Sequence, residues 1–335
     1  MEVLDKRIPL VSEPTPFSKL KNISKQLNRD IYLKEDDATG ICMGGSKIRK
    51  LEYLMFDAQS KQADTVITTG GVQSNHTRLT TAVARKFGLK PELVLRRIPQ
   101  HDKMSSGNFF LNHLMGAELH YVESRDQGDV KMKEREQQLK EQGKNPYIIP
   151  PGGSNPVGIL GYVRAAQELK TQLRERGITK AVVVMPVGSG GTMTGVLIAN
   201  KLWDMGLHVL GVSVSRAGEE IRPRVNMLIS ETLEFMNLDP TDYDIEEPVI
   251  YEEFIGPGYA QLDSPTAKTV KRLAESDGVI LDPVYTGKAM NGFLSLFEQK
   301  AEALLDVDYP VVFWHTGGLP ALFAFEDDLR ELIQD

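Results

Sequence analysis

Three stretches of this 335-residue chain gather side chains able to do chemistry. The first is Gly44-Gly45-Ser46-Lys47-Ile48-Arg49-Lys50, where lysines sit beside glycines at the start of a helical pattern. A helix N-terminus disfavours cations, so a basic cluster there is costly unless an anion or a covalent partner compensates. A lysine whose ammonium is disfavoured titrates lower and becomes a better Schiff-base nucleophile. Lys47 is therefore a candidate nucleophile, and Lys50 or Arg49 could contact a phosphate. A solvated basic first turn would use the same residues.

The second stretch is Gly188-Ser189-Gly190-Gly191-Thr192, between the apolar run Val182–Met185 and a helical pattern over Val196–Leu202. Backbone N–H groups at such a junction form an anion site, and glycines let the backbone come close. A dinucleotide fingerprint fails because Met193 occupies the third glycine position. A P-loop fails because Ser46-Lys47 reverses the required order. A single small phosphate, such as a cofactor's, remains, beside the alternative of an ordinary turn. The third stretch is Gly70-Gly71-Val72-Gln73-Ser74-Asn75-His76-Thr77-Arg78. Ser74 or Asn75 can cap the next helix. Gln73, Ser74, Asn75 and His76 together suit a carboxylate, though a well-capped helix would look the same. No GxSxG surrounds Ser46, Ser154 or Ser189. Asp36-Asp37 and Glu252-Glu253 read as solvated faces or turn formers.

These turns need a scaffold. Strands are expected at Ile31–Lys34, Thr65–Thr68, Glu92–Leu95, Leu119–Val122, Tyr147–Ile149, Val182–Met185, Val209–Val214, Val279–Leu281 and Val311–Trp314. Helical patterns lie between them, over Lys50–Gln62, Asn75–Phe87, Ser106–Gly116, Gly158–Arg176 and Ala267–Ser276. The alternation predicts an α/β class with parallel sheets, whose ligands sit beyond the carboxyl ends of the strands. Length suggests two domains at ~150 residues each. With no linker in sight, the second is expected as an insertion.

Composition narrows the chemistry. The chain has 46 acidic and 39 basic residues, a net charge of −7. That argues against non-specific nucleic-acid binding, and the two tryptophans stand outside any aromatic ladder. A single cysteine excludes an internal disulfide and cysteine-built metal or iron–sulfur clusters. The six histidines are scattered, without HExxH, so no metal is expected. No apolar stretch approaches a membrane span, and the first residues do not read as a secretory signal, so a cytoplasmic setting is expected.

Taken together, the chain resembles the pyridoxal-phosphate (PLP) enzymes of the tryptophan-synthase-β-like class, fold type II. Within it, the chain is similar to the D-cysteine desulfhydrase and 1-aminocyclopropane-1-carboxylate (ACC) deaminase group. The matching segments are Lys34–Thr39, Gly44–Leu54, Thr69–Arg78, Pro146–Tyr162, Gly188–Gly195, Gly256–Tyr259, Leu281–Met290 and His315–Phe323, in collinear order.

The resemblance implies two α/β domains, residues 1–48 with 162–335 forming a large one and 49–161 a small insertion, usually assembled as a homodimer. It implies that Lys47 carries the PLP and shuttles the α-proton, with Lys50 supporting the phosphate or the proton path. Asn75 would meet the ring hydroxyl, and Ser74 and His76, with Asn75, the amino-acid substrate. Gly188, Ser189, Gly190, Gly191 and Thr192 would cradle the phosphate. Tyr259 and Tyr285 would flank the substrate side chain, and Thr286 and Thr316 would lie near the pyridine nitrogen. ACC deaminases carry glutamate where Thr286 stands, and a hydroxyl holds a pyridinium less well. The weaker electron sink favours β-elimination of a sulfur leaving group over cyclopropane ring opening. The expected reaction converts D-cysteine to pyruvate, ammonia and sulfide. L-cysteate sulfo-lyase and ACC deaminase are the alternatives within the group, and a non-catalytic ligand-binding α/β protein the alternative outside it. The family usually has asparagine where this chain has Ser46. Cleavage of L-cysteate would need a sulfonate site, for which Arg78, Arg96 and Arg97 are the candidate cations, although each is expected at the surface.

Overall fold

The computed structural model describes residues 2–97, 103–299 and 308–333. Its strands are β1 (Phe17–Lys19), β2 (Ile31–Glu35), β3 (Thr65–Gly71), β4 (Lys90–Arg96), β5 (Glu118–Val122), β6 (Pro146–Ile149), β7 (Ala181–Val187), β8 (Leu207–Ser213), β9 (Val249–Tyr251) and β10 (Val311–His315). They form two sheets, in the orders β1-β2-β10-β7-β8-β9 and β5-β4-β3-β6. Every pairing is parallel except β1 with β2.

Parallel strands covered on both faces read as continuous apolar runs. In β7 every residue is buried. Val183, Met185 and Val187 enter one core cluster, while Val182 and Val184 enter another on the opposite face. The second sheet shows the same division, with Val66 and Ile67 in different clusters. All four strands of that sheet fall within residues 49–161, the segment expected as the insertion. Helix α6 (Pro156–Glu175) runs across the C-terminal limit of that segment, and its Ile159 and Leu160 pack with the larger sheet.

The expected helices appear as α2 (Lys47–Ser60), α3 (Asn75–Lys86), α4 (Gly107–Leu114), α6 and α9 (Ser264–Asp277), beside α1 (Lys21–Leu27) and α5 (Arg125–Glu141). The others are α7 (Gly191–Leu202), α8 (Gly218–Phe235), α10 (Thr286–Glu298), α11 (Leu319–Ala324) and α12 (Glu326–Leu332). Helices α3 and α7 begin just past the carboxyl ends of β3 and β7, so their N-termini face the space between the sheets. Val279–Leu281 is not a strand. It leaves the α9 C-cap at Gly278 and delivers Asp282 to the start of α10.

A buried ion cluster ties these layers together and corrects the reading of Asp36 as solvated. Asp36 is fully buried. Its Oδ1 accepts from Arg49 Nε at 2.9 Å and Thr15 Oγ1 at 3.1 Å; its Oδ2 accepts from Tyr162 at 2.6 Å and Trp314 Nε1 at 2.8 Å. Glu168 on α6 pairs with Arg49 at 2.9 Å and with the buried Lys34. Arg49, two residues beyond Lys47, thereby anchors α2 to β2, β10 and α6. Among the described residues, no helix is long and apolar enough to cross a membrane.

Candidate active site

Lys47 is the first residue of α2. The loop before it is held from both sides. Ser46 N–H donates to Thr316 O at 3.0 Å, and the Arg78 guanidinium donates to Cys42 O at 2.5 Å and Gly44 O at 2.9 Å. Arg78 is therefore fully buried rather than at the surface. Gly44 has φ +63°, and a Cβ there would stand 1.6 Å from Asp37 O, so only glycine fits. Lys47 Nζ donates to Ser46 Oγ at 2.9 Å. Burial lowers its pKa to about 8; the nearby Arg78 adds to the fall, and Asp282 and Asp36 oppose it.

Lys50 lies one turn on and is also buried. Its Nζ donates to Gly152 O and Ser154 Oγ, each at 3.1 Å. Burial, then Lys47 and Arg224, hold its pKa well below the ordinary lysine value. The basic first turn is thus not a solvated one. A Cβ on Gly191 would come within 2.8 Å of Lys50 Nζ, so the amine lies against the N-terminus of α7. The first backbone N–H groups of a helix lack intrahelical partners. Those of the Gly188–Thr192 loop, with Lys50 behind them, make an anion cradle. Ser189 Oγ meets Ser154 Oγ at 2.7 Å, and Arg224 Nε donates to Ser189 O at 3.0 Å, which fixes the loop.

Across the cavity, Ser74 caps α3 by accepting from Thr77 N–H at 3.3 Å. Asn75 Oδ1 accepts from Asn108 Nδ2 at 2.8 Å, which leaves the Asn75 NH₂ as the donor for a ligand oxygen. Gln73 turns away from the group expected to grip a carboxylate. Its Nε2 donates to Ser106 O at 3.0 Å and its Oε1 accepts from Asn108 N–H at 2.9 Å. His76 Nε2 lies 2.8 Å from Thr68 Oγ1, whose own proton goes to Ile149 O at 2.8 Å. Thr68 must therefore accept, so Nε2 carries the imidazole proton. Nδ1 is a buried acceptor with no partner. Burial, with Lys47 and Lys50 nearby, keeps this ring neutral.

Tyr259 and Tyr285 meet hydroxyl to hydroxyl at 2.7 Å, their rings edge-on at 73°. Burial raises the pKa of both phenols.

Lys47, Ser74, Asn75, His76, Gly188, Ser189, Gly190, Thr192, Tyr259, Tyr285 and Thr316 all line one cavity. Lys50 and Gly191 stand just behind its wall. Thr286 is not among the lining residues. Its hydroxyl donates to Asp282 Oδ1 and accepts from Asp282 N–H, each at 2.8 Å. Asp282 also takes the N–H groups of Val284, Tyr285 and Thr286, capping α10.

Arg96 lines the cavity too, contrary to its expected surface position, together with Arg125 and Arg216; Arg97 is exposed. Sequence reasoning missed Asn108, Asp282, Arg125 and Arg216. Arg125 carried the same signal as Lys47, a cation in the first turn of a helix, where the dipole disfavours it.

An amine of lowered basicity, an anion cradle in the same cavity, and an oriented amide donor fit a phosphorylated aldehyde cofactor. The partnerless His76 Nδ1 and the close approach at Gly191 mark places where a bound group would complete the walls.

Comparison with known proteins agrees with this chemistry. The family model described as pyridoxal-phosphate dependent enzyme matches residues 8–317. A Pyrococcus abyssi protein, provisionally named a 1-aminocyclopropane-1-carboxylate deaminase, is 41% identical over 98% of this chain and 96% of its own length. The D-cysteine desulfhydrase of Salmonella schwarzengrund is 38% identical over 95% of this chain and 96% of its own. A crystal structure of an ACC deaminase homologue superposes with a TM-score of 0.90 at 36% identity, covering 99% of this chain and 98% of the other.

Proposed function

The chain belongs to the pyridoxal-phosphate dependent enzyme family, with PLP as its cofactor, and from that premise we propose that it is a lyase that eliminates sulfur from the β-carbon of an amino acid, D-cysteine foremost. The observation that carries the reading is the cavity shared by the Lys47 amine, the Gly188–Thr192 cradle and the Tyr259–Tyr285 pair.

Bound PLP supplies an electron sink for the charge left at the α-carbon. The protein's residues do the rest. The cradle and Lys50 hold the phosphate. The Asn75 NH₂ holds the ring oxygen. The Ser74 hydroxyl donates to the substrate carboxylate, while the neutral His76, whose proton goes to Thr68, offers only an acceptor at Nδ1. Lys47 Nζ takes the α-proton, with Ser46 Oγ keeping the amine oriented. The C–S bond then breaks with its electron pair on sulfur, and the tyrosine pair, protonated because burial disfavours phenolate, donates toward that sulfur. The three-carbon enamine left behind is hydrolysed to pyruvate and ammonia.

Ring opening of ACC is the second reading, favoured by the name of the Pyrococcus relative. Thr286 weighs against it, since it brings no carboxylate and its hydroxyl serves Asp282. A side-by-side assay of D-cysteine, L-cysteine, L-cysteate and ACC decides, scoring sulfide, sulfite, pyruvate and 2-oxobutyrate. Sulfide with pyruvate from D-cysteine is expected. Release of 2-oxobutyrate from ACC without sulfide from D-cysteine would overturn the reading.

A further inference from the structure

Lys288 is fully buried in the first turn of α10, and the chemistry above makes no use of it. A helix N-terminus disfavours a cation, and burying an ammonium is costly unless it is well hydrogen-bonded. Burial lowers its pKa to about 8, with Asp263 and Asp282 opposing the fall. Its Nζ donates to two backbone carbonyls, Ile255 O at 2.6 Å and Gly258 O at 2.7 Å.

Both carbonyls belong to residues 252–263, the segment between β9 and α9, which has no strand or helix of its own. Within it, Ile255 N–H donates to Glu252 O at 3.2 Å and Gln261 N–H to Gly258 O at 3.3 Å, at the long end of the usual range. Phe254 rests on Gly292, where an added Cβ would come within 2.9 Å of its ring. Lys288 and Gly292 are four residues apart and share one face of α10, so the segment docks on that face.

Tyr259 follows Gly258 directly. Its ring lies against Gly71 at the end of β3, where a Cβ would stand 2.8 Å from Cε1, and its hydroxyl meets that of Tyr285. Tyr285 is the N-cap residue of α10, and Asp282 Oδ2 accepts its N–H at 3.0 Å. One helix end therefore carries Tyr285 in its own backbone and reaches Tyr259 through the Lys288 bond to the preceding carbonyl.

We propose that Lys288 is a positioning residue: by clamping the 252–263 segment to α10, it sets where the Tyr259 hydroxyl stands beside Tyr285. Lys288 does not line the cavity, so it acts through Tyr259. The consequence for turnover rests on the reading of the tyrosine pair as the acid of a lyase. Loss of the clamp releases Tyr259 and leaves Tyr285 on its Asp282 anchor.

The test combines Lys288→Met with Tyr259→Phe and with Tyr285→Phe. It follows kcat and KM for D-cysteine, the visible cofactor band, and hydrogen exchange of residues 252–263. In the Tyr259→Phe enzyme the clamp has no hydroxyl to place, and Lys288→Met should lower kcat by less than about threefold. In the Tyr285→Phe enzyme Tyr259 is the one phenol of the pair left. There the same change should lower kcat at least about tenfold, with KM and the cofactor band unchanged. Lys288→Met alone should speed exchange in the segment about tenfold, as loss of a charge-assisted hydrogen bond allows, and leave α10 protected. Equal losses of kcat in the two backgrounds would overturn the proposal, and so would unchanged exchange in the segment. If Lys288→Met does not fold, Lys288→Gln, one atom shorter, takes its place with the same ordering expected. If the wild type releases no sulfide from D-cysteine, the lyase reading falls and exchange alone judges the clamp, faster exchange upholding it and unchanged exchange overturning it. Sulfide release with equal losses removes the clamp and leaves the lyase reading.

Discussion

Gly44→Ala isolates the loop that aims Lys47. The added Cβ would stand 1.6 Å from Asp37 O, and contacts under 3.0 Å essentially never occur, so the loop must retreat by at least about 1.4 Å. Misplacing a reacting group by ~1 Å costs on the order of 100-fold in rate. Because Lys47 follows three residues on, and Arg78 and Thr316 pin the same loop, that displacement reaches its amine. The positive φ adds a further ~1 kcal/mol against folding. Gly40 is the control: it has φ +94°, but a Cβ added there would meet nothing within 4 Å. Gly40→Ala therefore suffers the φ cost alone. The assay pairs kcat/KM for D-cysteine with the thermal midpoint of each variant. Gly44→Ala is expected to lose about 100-fold in kcat/KM, and Gly40→Ala less than about threefold with a similar φ-derived loss of stability. Near-wild-type turnover in Gly44→Ala, or equal damage in both, would refute the reasoning.

Other outcomes follow from the same geometry. Lys47→Ala should abolish the visible band of the lysine-bound cofactor. In the wild type, capture of PLP by apoenzyme should quicken as pH rises and level off above about 8, where the buried amine is free; a midpoint near 10.5 would contradict its burial. Asp36→Ala leaves Arg49 with Glu168 and strands the Tyr162 and Trp314 donors, and removing one partner of a buried pair costs roughly 3–5 kcal/mol. Thermal melting reads that loss, and one under about 1 kcal/mol would mean that Glu168 suffices. Asn108→Asp turns a donor against Asn75 Oδ1 into an acceptor, and PLP affinity by absorbance should fall about tenfold or more; an unchanged affinity would show that Asn108 does not orient Asn75. Thr286→Glu sets a second carboxylate against Asp282 and should lower D-cysteine turnover; an unaltered ratio of D-cysteine to ACC turnover would count against any role for this position in selectivity.

What the chain reveals before folding is what is local. Lys47, the Gly188–Thr192 loop and the Ser74 cap sit at strand-to-helix junctions whose glycines and cations are neighbours in sequence. The Asp36–Arg49 pair is hidden because Glu168, Tyr162 and Trp314 reach it from elsewhere in the chain, the last across 278 positions. Asn108 reaches Asn75 across 33 positions, with no local motif to mark it. The strands β1 and β9 have three residues each, too few to display a period. Val279–Leu281 has strand composition but finds no strand to pair with among the described residues. Charge patterning alone placed Arg96 outside, whereas the packing of Tyr259 beneath it turns it inward.

The hydroxyl contact between Tyr259 and Tyr285 sets a limit on proton supply. Two neutral phenols own two protons, and the bond between them occupies one. The pair therefore presents a single O–H to whatever sits in the cavity, and either ring can be the one that offers it. Removing one hydroxyl frees the proton of the other without changing the number on offer. Tyr259→Phe and Tyr285→Phe should each be milder than the double change, which leaves this wall with no acid of its own.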